Sequence, residues 1–293
     1  MSIVRVAACQ MTPRIGEVEA NLEDMERWVE RAAQAGAALA VLPEAAVTGY
    51  AFASLEEALT VARRATAVAA ERLSAMAARH SMALVAGTLE AEGEQVYNTA
   101  LVAAPDGERF RYRKIHLPFL GVDRFATAGT EPPAVYELAG LRVGVLICYD
   151  LRFPEAARVC ALEGADLIAL PTNWPVSVEF HPGLFAPARA AENHCYLLAA
   201  DRVGSEGGTT FIGRSLLVDC DGQLIASAGA DEALVVGDVD RELARQTHVT
   251  RRPGEHEWDT IADRRPGLYQ RLLEPAIDRL HPPSASVYSP DAD

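Results

Sequence analysis

The chain has 293 residues, of which 49% are hydrophobic and 23% are charged, proportions typical of a globular protein rather than a disordered or fibrous one. Its net charge of −14 at pH 7 argues against nucleic acid and anionic membrane surfaces as partners. The N-terminus lacks a signal-peptide pattern, and no apolar stretch approaches the roughly 18 residues of a membrane span. We therefore expect a cytoplasmic protein without a membrane partner.

Short apolar runs suited to buried strands alternate with stretches suited to helices, which indicates an α/β fold. The predicted strands are Ile3–Cys9, Ala38–Leu42, Ala83–Gly87, Leu141–Cys148, Leu167–Leu170, Tyr196–Ala200 and Ser215–Val218. The predicted helices are Asn21–Ala35, Leu55–His80 and a segment that starts at Pro154 and ends at Gly164. We expect one domain over residues 1–280, followed by an extended or partly disordered tail, 281–293.

An internal repeat is visible in two segments that each follow a predicted helix. GAALAVLPE at Gly36–Glu44 aligns without a gap to GADLIALPT at Gly164–Thr172. The alignment predicts an internal duplication, which would bring the ends of both strands, Glu44 and Thr172–Asn173, to one rim of the structure. In open α/β sheets, ligands bind at the carboxyl ends of the strands.

Neither the cysteines nor the histidines form a metal or disulfide pattern. The five cysteines are scattered without a CxxC pair, and the seven histidines show no HExxH spacing. We expect no metal and no disulfide framework. One cysteine nevertheless stands out, because Cys148 ends an apolar strand directly before a helix that begins with proline. A sulfur there lies near backbone N–H groups that could stabilise an oxyanion, although a small residue capping a core strand is the ordinary alternative.

Two charged residues complete a possible catalytic set with this cysteine. Glu44 and Lys114 each follow a predicted β-like segment, and alone each could be a solvated loop residue. Together with Cys148 they supply what hydrolysis of an amide by a thiol needs. That set is a nucleophile, a base that takes its proton and later activates water, and a cation beside the developing oxyanion.

Three blocks, LPEAAVTGY, YRKIHLP and VLICYDLRFPE, resemble in order the signature blocks of the nitrilase superfamily of carbon–nitrogen hydrolases. Their key residues, Glu44, Lys114 and Cys148, are 70 and 34 residues apart, and the resemblance extends over nearly the whole chain. It implies a four-layer αββα sandwich, assembled as a homodimer or higher homo-oligomer, with no cofactor. It also implies that Glu44 is the general base, Lys114 the oxyanion cation and Cys148 the nucleophile. The backbone N–H of Tyr149 would be a second oxyanion donor.

The chain departs from this family in one respect. Many relatives carry a second active-site glutamate between the lysine and the cysteine, but the stretch PFLGVDRFATAG contains none. Asp123 is the nearest acid, and we expect it either to substitute for that glutamate or to be an exposed turn residue. Candidates for lining the substrate pocket are Tyr50, His116, Asn173 and Trp174; for His116 a structural hydrogen bond is the alternative.

The resemblance implies hydrolysis of a small non-peptide amide to a carboxylic acid and ammonia through a thioester on Cys148. A nitrilase or an N-carbamoyl amidase would use the same three residues, so the substrate is an amide or a nitrile. Acyl transfer to an amine or alcohol is a further alternative. A non-catalytic scaffold is disfavoured, because it has no reason to keep a thiol, a carboxylate and an ammonium group together.

Overall fold

The computed structural model describes residues 2–274, which form two compact units. The first unit extends to Thr247, and the described part of the second covers 248–274. The predicted boundary at residue 280 and the predicted tail 281–293 lie outside the described residues. Both therefore stay predictions.

The first unit contains two six-stranded sheets. The strands in chain order are β1 (Ile3–Gln10), β2 (Leu39–Val41), β3 (Ala83–Glu92), β4 (Gln95–Ala103), β5 (Arg109–Arg113), β6 (Val135–Leu138), β7 (Leu141–Val145), β8 (Leu167–Thr172), β9 (Tyr196–Asp201), β10 (Val203–Glu206), β11 (Thr209–Ile212), β12 (Leu216–Val218), β13 (Leu224–Ser227) and β14 (Ala233–Asp240). The helices are α1 (Val18–Gln34), α2 (Leu55–His80), α3 (Pro154–Leu162), α4 (Ala186–Asn193) and α5 (Arg241–Arg245).

The two sheets have the same topology. The first has the order β14-β1-β2-β3-β4-β5 and the second the order β6-β7-β8-β9-β12-β13. In each, three central parallel strands have one antiparallel strand on one side and two on the other. Helices α1 and α2 connect the parallel strands of the first sheet, and α3 and α4 connect those of the second. The predicted internal duplication is confirmed by this topology.

The two sheets pack face to face between two helical layers. Strands β1, β2 and β3 contact β8 and β9, whereas α1 and α2 pack on the other face of the first sheet and α3 and α4 on that of the second. Strand β1 shows why both faces are apolar: Val6 and Ala8 belong to the core between the sheets, and Ala7 and Cys9 to the core under the helices. The predicted αββα sandwich is confirmed.

The helix boundaries follow from local chemistry. Ser54 caps the N-terminus of α2 by accepting a hydrogen bond from the Glu57 backbone N–H, and Ser81 ends it in the left-handed conformation. The predicted helix over Leu55–His80 is therefore confirmed at both ends. Helix α3 starts with Pro154 at its first turn, as predicted.

The second unit contains an antiparallel pair, β15 (His248–Arg252) and β16 (His256–Asp259), and two 3₁₀ turns, Pro266–Leu268 and Gln270–Leu273. Across residues 2–274, no helix has the length and apolar character that crossing a membrane requires.

Candidate active site

Glu44 lies just beyond the end of β2, and its side chain is fully buried. The position of its backbone depends on Gly87 of the neighbouring β3. A Cβ added at Gly87 would lie only 2.5 Å from the Cα of Glu44, so this close approach requires glycine. The Gly87 N–H also donates a 3.0 Å hydrogen bond to the Pro43 carbonyl. The backbone before Glu44 is thus fixed by its neighbouring strand.

Lys114 directly follows β5 and is held by backbone hydrogen bonds on both sides. Its N–H donates to the Asn98 carbonyl at 2.8 Å, and its carbonyl accepts from the Gly129 N–H at 2.9 Å. Its Nζ lies 2.7 Å from Oε1 of Glu44 and 2.6 Å from Oδ2 of Asp123. All three side chains are completely buried. One ammonium group therefore bridges two carboxylates in the interior.

Cys148 begins a short 3₁₀ helix, Cys148–Arg152, between β7 and α3. Its backbone has a φ of +42°, a left-handed conformation that is strained for a residue other than glycine. The buried carboxylate of Asp150 closes this turn, because its Oδ2 accepts hydrogen bonds from the Ile147 N–H at 3.0 Å and the Tyr112 hydroxyl at 2.9 Å. Arg189 of α4 donates to the Leu151 carbonyl at 2.9 Å. These contacts hold the strained turn in place.

The electrostatics connect these three side chains. Burial raises the pKa of the Cys148 thiol well above its usual range, and the charge of Glu44 adds to the rise, whereas Lys114 opposes it. Burial likewise raises the pKa of Glu44, against the effect of Lys114. Burial alone would lower the pKa of Lys114, but Asp123, Glu44 and Cys148 together raise it well above its usual range. Burial thus favours the neutral thiol of Cys148, the neighbouring acids favour the charged form of Lys114, and Glu44 is more basic than an ordinary carboxylate.

Asp123 is a buried member of this site rather than an exposed turn residue. It lies in the 3₁₀ helix Gly121–Arg124 and is only 4% exposed. Besides Lys114, it accepts a 2.9 Å hydrogen bond from the Tyr50 hydroxyl and a 2.9 Å bond from Nδ2 of Asn98. Its role in the reaction stays a proposal.

Comparison with known proteins agrees with this geometry. The sequence model of the carbon–nitrogen hydrolase family matches residues 5–249. A Pyrococcus abyssi protein named nitrilase is 37% identical over 271 residues, covering 92% of this chain and 100% of the relative. The 2-oxoglutaramate amidase of Bacillus subtilis is 32% identical over 238 residues, covering 80% and 90%.

The chain belongs to the carbon–nitrogen hydrolase family. Among solved structures, the amidase of Nesterenkonia sp. AN1 has a TM-score of 0.80 and 31% identity, with coverage of 92% of this chain and 96% of that one. It was solved as a glutamate-to-glutamine variant with the acetamide moiety of fluoroacetamide added covalently to its active-site cysteine. The predicted nitrilase-superfamily resemblance is confirmed. The protein is a hydrolase of carbon–nitrogen bonds other than peptide bonds.

The second half of this carbon–nitrogen hydrolase surrounds the nucleophile with polar groups from the end of β8. The Asn173 backbone and the Thr172 side chain lower the pKa of Cys148, against the effect of burial. The side-chain amide of Asn173 and Nε1 of Trp174 are buried without a hydrogen-bond partner among the described residues. Glu44 and the end of β8 therefore both act on the Cys148 thiol, in agreement with their predicted position at one rim.

Tyr50 and His116, the other two pocket candidates, make different contacts. Tyr50 is buried against Asp123, and its backbone N–H donates a 2.7 Å hydrogen bond to Glu206. His116 instead lies 2.7 Å from Oδ1 of Asp150 through its Nδ1, and its ring stacks on Phe153 at 3.7 Å. His116 thus supports the turn of the nucleophile, as its alternative interpretation proposed.

Several residues that shape the site were not singled out from the sequence. Asn98 bridges Glu44 and Asp123, Asp150 supports the nucleophile turn, and Asp201 accepts the Trp174 N–H at 2.9 Å. The available signal was a polar residue inside an otherwise apolar strand, as for Asn98 in QVYNTALVA. Such a residue needs a buried partner, which the sequence alone does not identify.

In the part of the chain that the structure describes, no three His, Cys, Asp or Glu residues are grouped as metal ligands. The five cysteines are all unpaired and buried.

Proposed function

We propose that the protein hydrolyses a small non-peptide amide to a carboxylic acid and ammonia through a thioester on Cys148. The carrying observation is the buried Glu44–Lys114 pair that acts electrostatically on the Cys148 thiol. The ammonium group of Lys114 donates a hydrogen bond to Oε1 of Glu44, whereas Oε2 has no hydrogen-bond partner among the described residues. One carboxylate oxygen is therefore anchored and the other is available for proton transfer.

The first step follows from the protonation states. Because the thiol pKa is raised, Cys148 is not a thiolate at rest, and its proton must leave as the sulfur attacks. Glu44 takes that proton, and its own raised pKa makes it a stronger base than an ordinary carboxylate. The sulfur forms a bond to the amide carbon, and the carbonyl π electrons move to oxygen.

The tetrahedral oxyanion needs preorganised donors. Lys114 stays protonated, because its two carboxylate neighbours hold its pKa high. We assign the ammonium group of Lys114 and the backbone N–H of Tyr149 to this oxyanion. A single donor of this kind typically contributes ~10²–10³ in turnover.

The remaining steps return the site to its starting state. Protonated Glu44 gives its proton to the leaving nitrogen, the C–N bond breaks and ammonia departs, which leaves the thioester. Glu44 then deprotonates a water that attacks the thioester carbon. Collapse of this second oxyanion breaks the C–S bond, and Glu44 returns the proton to the sulfur of Cys148. The net reaction is amide plus water to acid plus ammonia.

The relatives support an amide more than a nitrile, since the Nesterenkonia protein and the Bacillus protein are both named amidases. The Pyrococcus relative named nitrilase favours the second candidate, in which the same three residues act on a nitrile. N-carbamoyl compounds and acyl transfer would also use this thioester chemistry. We further propose a homo-oligomeric assembly and a cytoplasmic location.

The test is ammonia release by wild type and Cys148→Ala on matched panels of small amides, carbamoyl compounds and nitriles. We expect wild type to prefer amides and the variant to release none. A conjugate formed with added hydroxylamine would reveal a thioester that amines intercept. If neither protein released ammonia above background and Cys148 resisted iodoacetamide, the mechanism would be refuted and the non-catalytic scaffold favoured.

A further inference from the structure

We infer that Asn98 is a positioning residue that anchors Oε1 of Glu44 and Oδ1 of Asp123 and so reserves Oε2 of Glu44 for every proton transfer. This inference rests on the proposed function, because it assigns Asn98 a part in that reaction. Neither the signature blocks nor the resemblance points to this residue. The inference rests on the hydrogen bonds of its side chain and backbone.

Asn98 lies on β4 and is almost completely buried. Its Nδ2 donates to Oε1 of Glu44 at 2.7 Å and to Oδ1 of Asp123 at 2.9 Å. Lys114 bridges the same two carboxylates from the other side. The four side chains therefore form a closed ring, with two acidic members separated by two donors.

The orientation of the Asn98 amide follows from its surroundings. An amide nitrogen carries two hydrogens, which matches two carboxylate acceptors, whereas its oxygen would face two negative groups if the amide were reversed. The backbone adds a second restraint, because the Asn98 carbonyl accepts the Lys114 N–H at 2.8 Å. One residue thus fixes the main chain of the cation and the side chains of both acids.

A neutral donor suits this place better than a second cation. The ring contains one ammonium group and two carboxylates, so it keeps a net negative charge when both acids are ionised. A second buried cation would lower the basicity of Glu44, whereas an amide holds the carboxylate without neutralising it. Asn98 and Lys114 both donate to Oε1 of Glu44, whereas Oε2 of Glu44 and Oδ1 of Asn98 have no hydrogen-bond partner among residues 2–274.

The pH dependence of kcat/KM is affected by every titratable group that interacts electrostatically with Glu44. These groups are Lys114 after β5, Asp123 in its 3₁₀ helix, Cys148 at the nucleophile turn, Tyr50 and, on β9, Asp201. Burial raises the pKa of Glu44, and the hydrogen bonds from Lys114 and Asn98 oppose that rise. Loss of the Asn98 donor therefore destabilises the ionised form of Glu44. The acid limb of kcat/KM should move upward as a result.

The experiment compares wild type with Asn98→Leu and Asn98→Asp, using the amide that wild type hydrolyses best. We expect the acid limb of kcat/KM to move up by about one pH unit in Asn98→Leu. It should move further in Asn98→Asp, which keeps the size of the residue but adds a third acid. The matched control is Thr99→Val on the same strand, which removes a 3.2 Å hydrogen bond to Glu90 outside the ring.

Thr99→Val should lower the thermal unfolding temperature and leave the acid limb in place. If both Asn98 variants kept the wild-type limb, Asn98 would be purely structural and the inference would be wrong. Should Asn98→Leu not fold, the isosteric Asn98→Asp decides the question alone. The pH dependence of Cys148 alkylation by iodoacetamide is a readout without turnover. If the acid limb of Cys148 alkylation moves in the Asn98 variants but no protein hydrolyses an amide, the proposed function is refuted and the role of Asn98 is retained.

Discussion

The ends of β2 and β8 occupy equivalent places in two sheets of the same topology, yet they contribute different chemistry. The first half supplies the charged members of the ring, Glu44, Lys114 and Asp123, whose side chains are all buried. At the position equivalent to Glu44, the second half has Thr172, and there it places neutral polar groups beside the Cys148 thiol. Duplication thus provided two similar strand ends at one rim, of which one carries the proposed base and the other carries neutral groups next to the thiol.

The largest combined effect on stability and activity should come from removing the only cation of the ring. Lys114→Ala leaves two buried carboxylates without compensation, which we expect to cost about 3–5 kcal/mol of the free energy of unfolding at neutral pH. Loss of the oxyanion donor should also lower kcat/KM by ~10²–10³. Urea unfolding and steady-state kinetics measure the two effects. An active, fully stable variant would show that the charged half does not depend on this residue.

The next test compares substitutions at the equivalent positions of the two halves, Glu44 and Thr172. Glu44→Gln keeps the size of the side chain but cannot accept a proton, and we expect kcat to fall by ~10²–10⁴. Thr172→Val at the matching place in the second half should leave proton transfer intact and reduce kcat less than tenfold, since only a neutral group is lost. Comparable losses in the two variants would contradict the division of roles. Steady-state ammonia release decides between them.

A third test removes the buried charge of Glu206, which lies in the hairpin formed by β10 and β11 and contacts the first half. Glu206 accepts the backbone N–H groups of Tyr50 and Ala51 at 2.7 and 2.9 Å and forms a buried ion pair with Arg202. Glu206→Gln leaves Arg202 buried without its counter-charge, which we expect to cost about 3 kcal/mol of the free energy of unfolding. Thermal unfolding measures it. Stability equal to wild type would show that the buried Arg202 does not depend on Glu206 as its counter-charge.

The smallest effect concerns a buried histidine of the second half, His181. Burial lowers the pKa of His181 to about 4, and Arg152 adds to this. Because the folded protein binds this proton less readily than the unfolded chain, His181 stabilises the fold above about pH 6.5, and that stabilisation is lost as the pH falls towards 4. As the pH falls over that interval, the free energy of unfolding of His181→Gln should therefore decrease by ~1–3 kcal/mol less than that of wild type. If the two free energies changed in parallel with pH, the prediction would be contradicted.

The sequence indicated which side chains meet in the candidate site better than it indicated their surroundings. The blocks around Glu44, Lys114 and Cys148 have a fixed order, and the apolar strands before Glu44 and Cys148 determine that their ends meet at one rim. Asp123 was left open between two interpretations, because its burial depends on Lys114 and Tyr50, which approach only in the folded chain. Strand β4 was not predicted, since its polar Asn98 and Thr99 interrupt the apolar pattern. Partners for such polar residues come from other strands, so periodicity along the chain cannot reveal them.

The left-handed backbone of Cys148 has a consequence for the evolution and engineering of the protein. At a φ of +42°, glycine would be less strained than any residue with a side chain, so the backbone conformation at this position favours glycine over cysteine. The proposed nucleophile is therefore placed against the conformational preference of the chain. A search for thermostable variants that did not also demand turnover would be drawn towards glycine at this position and would discard the enzyme while improving the protein.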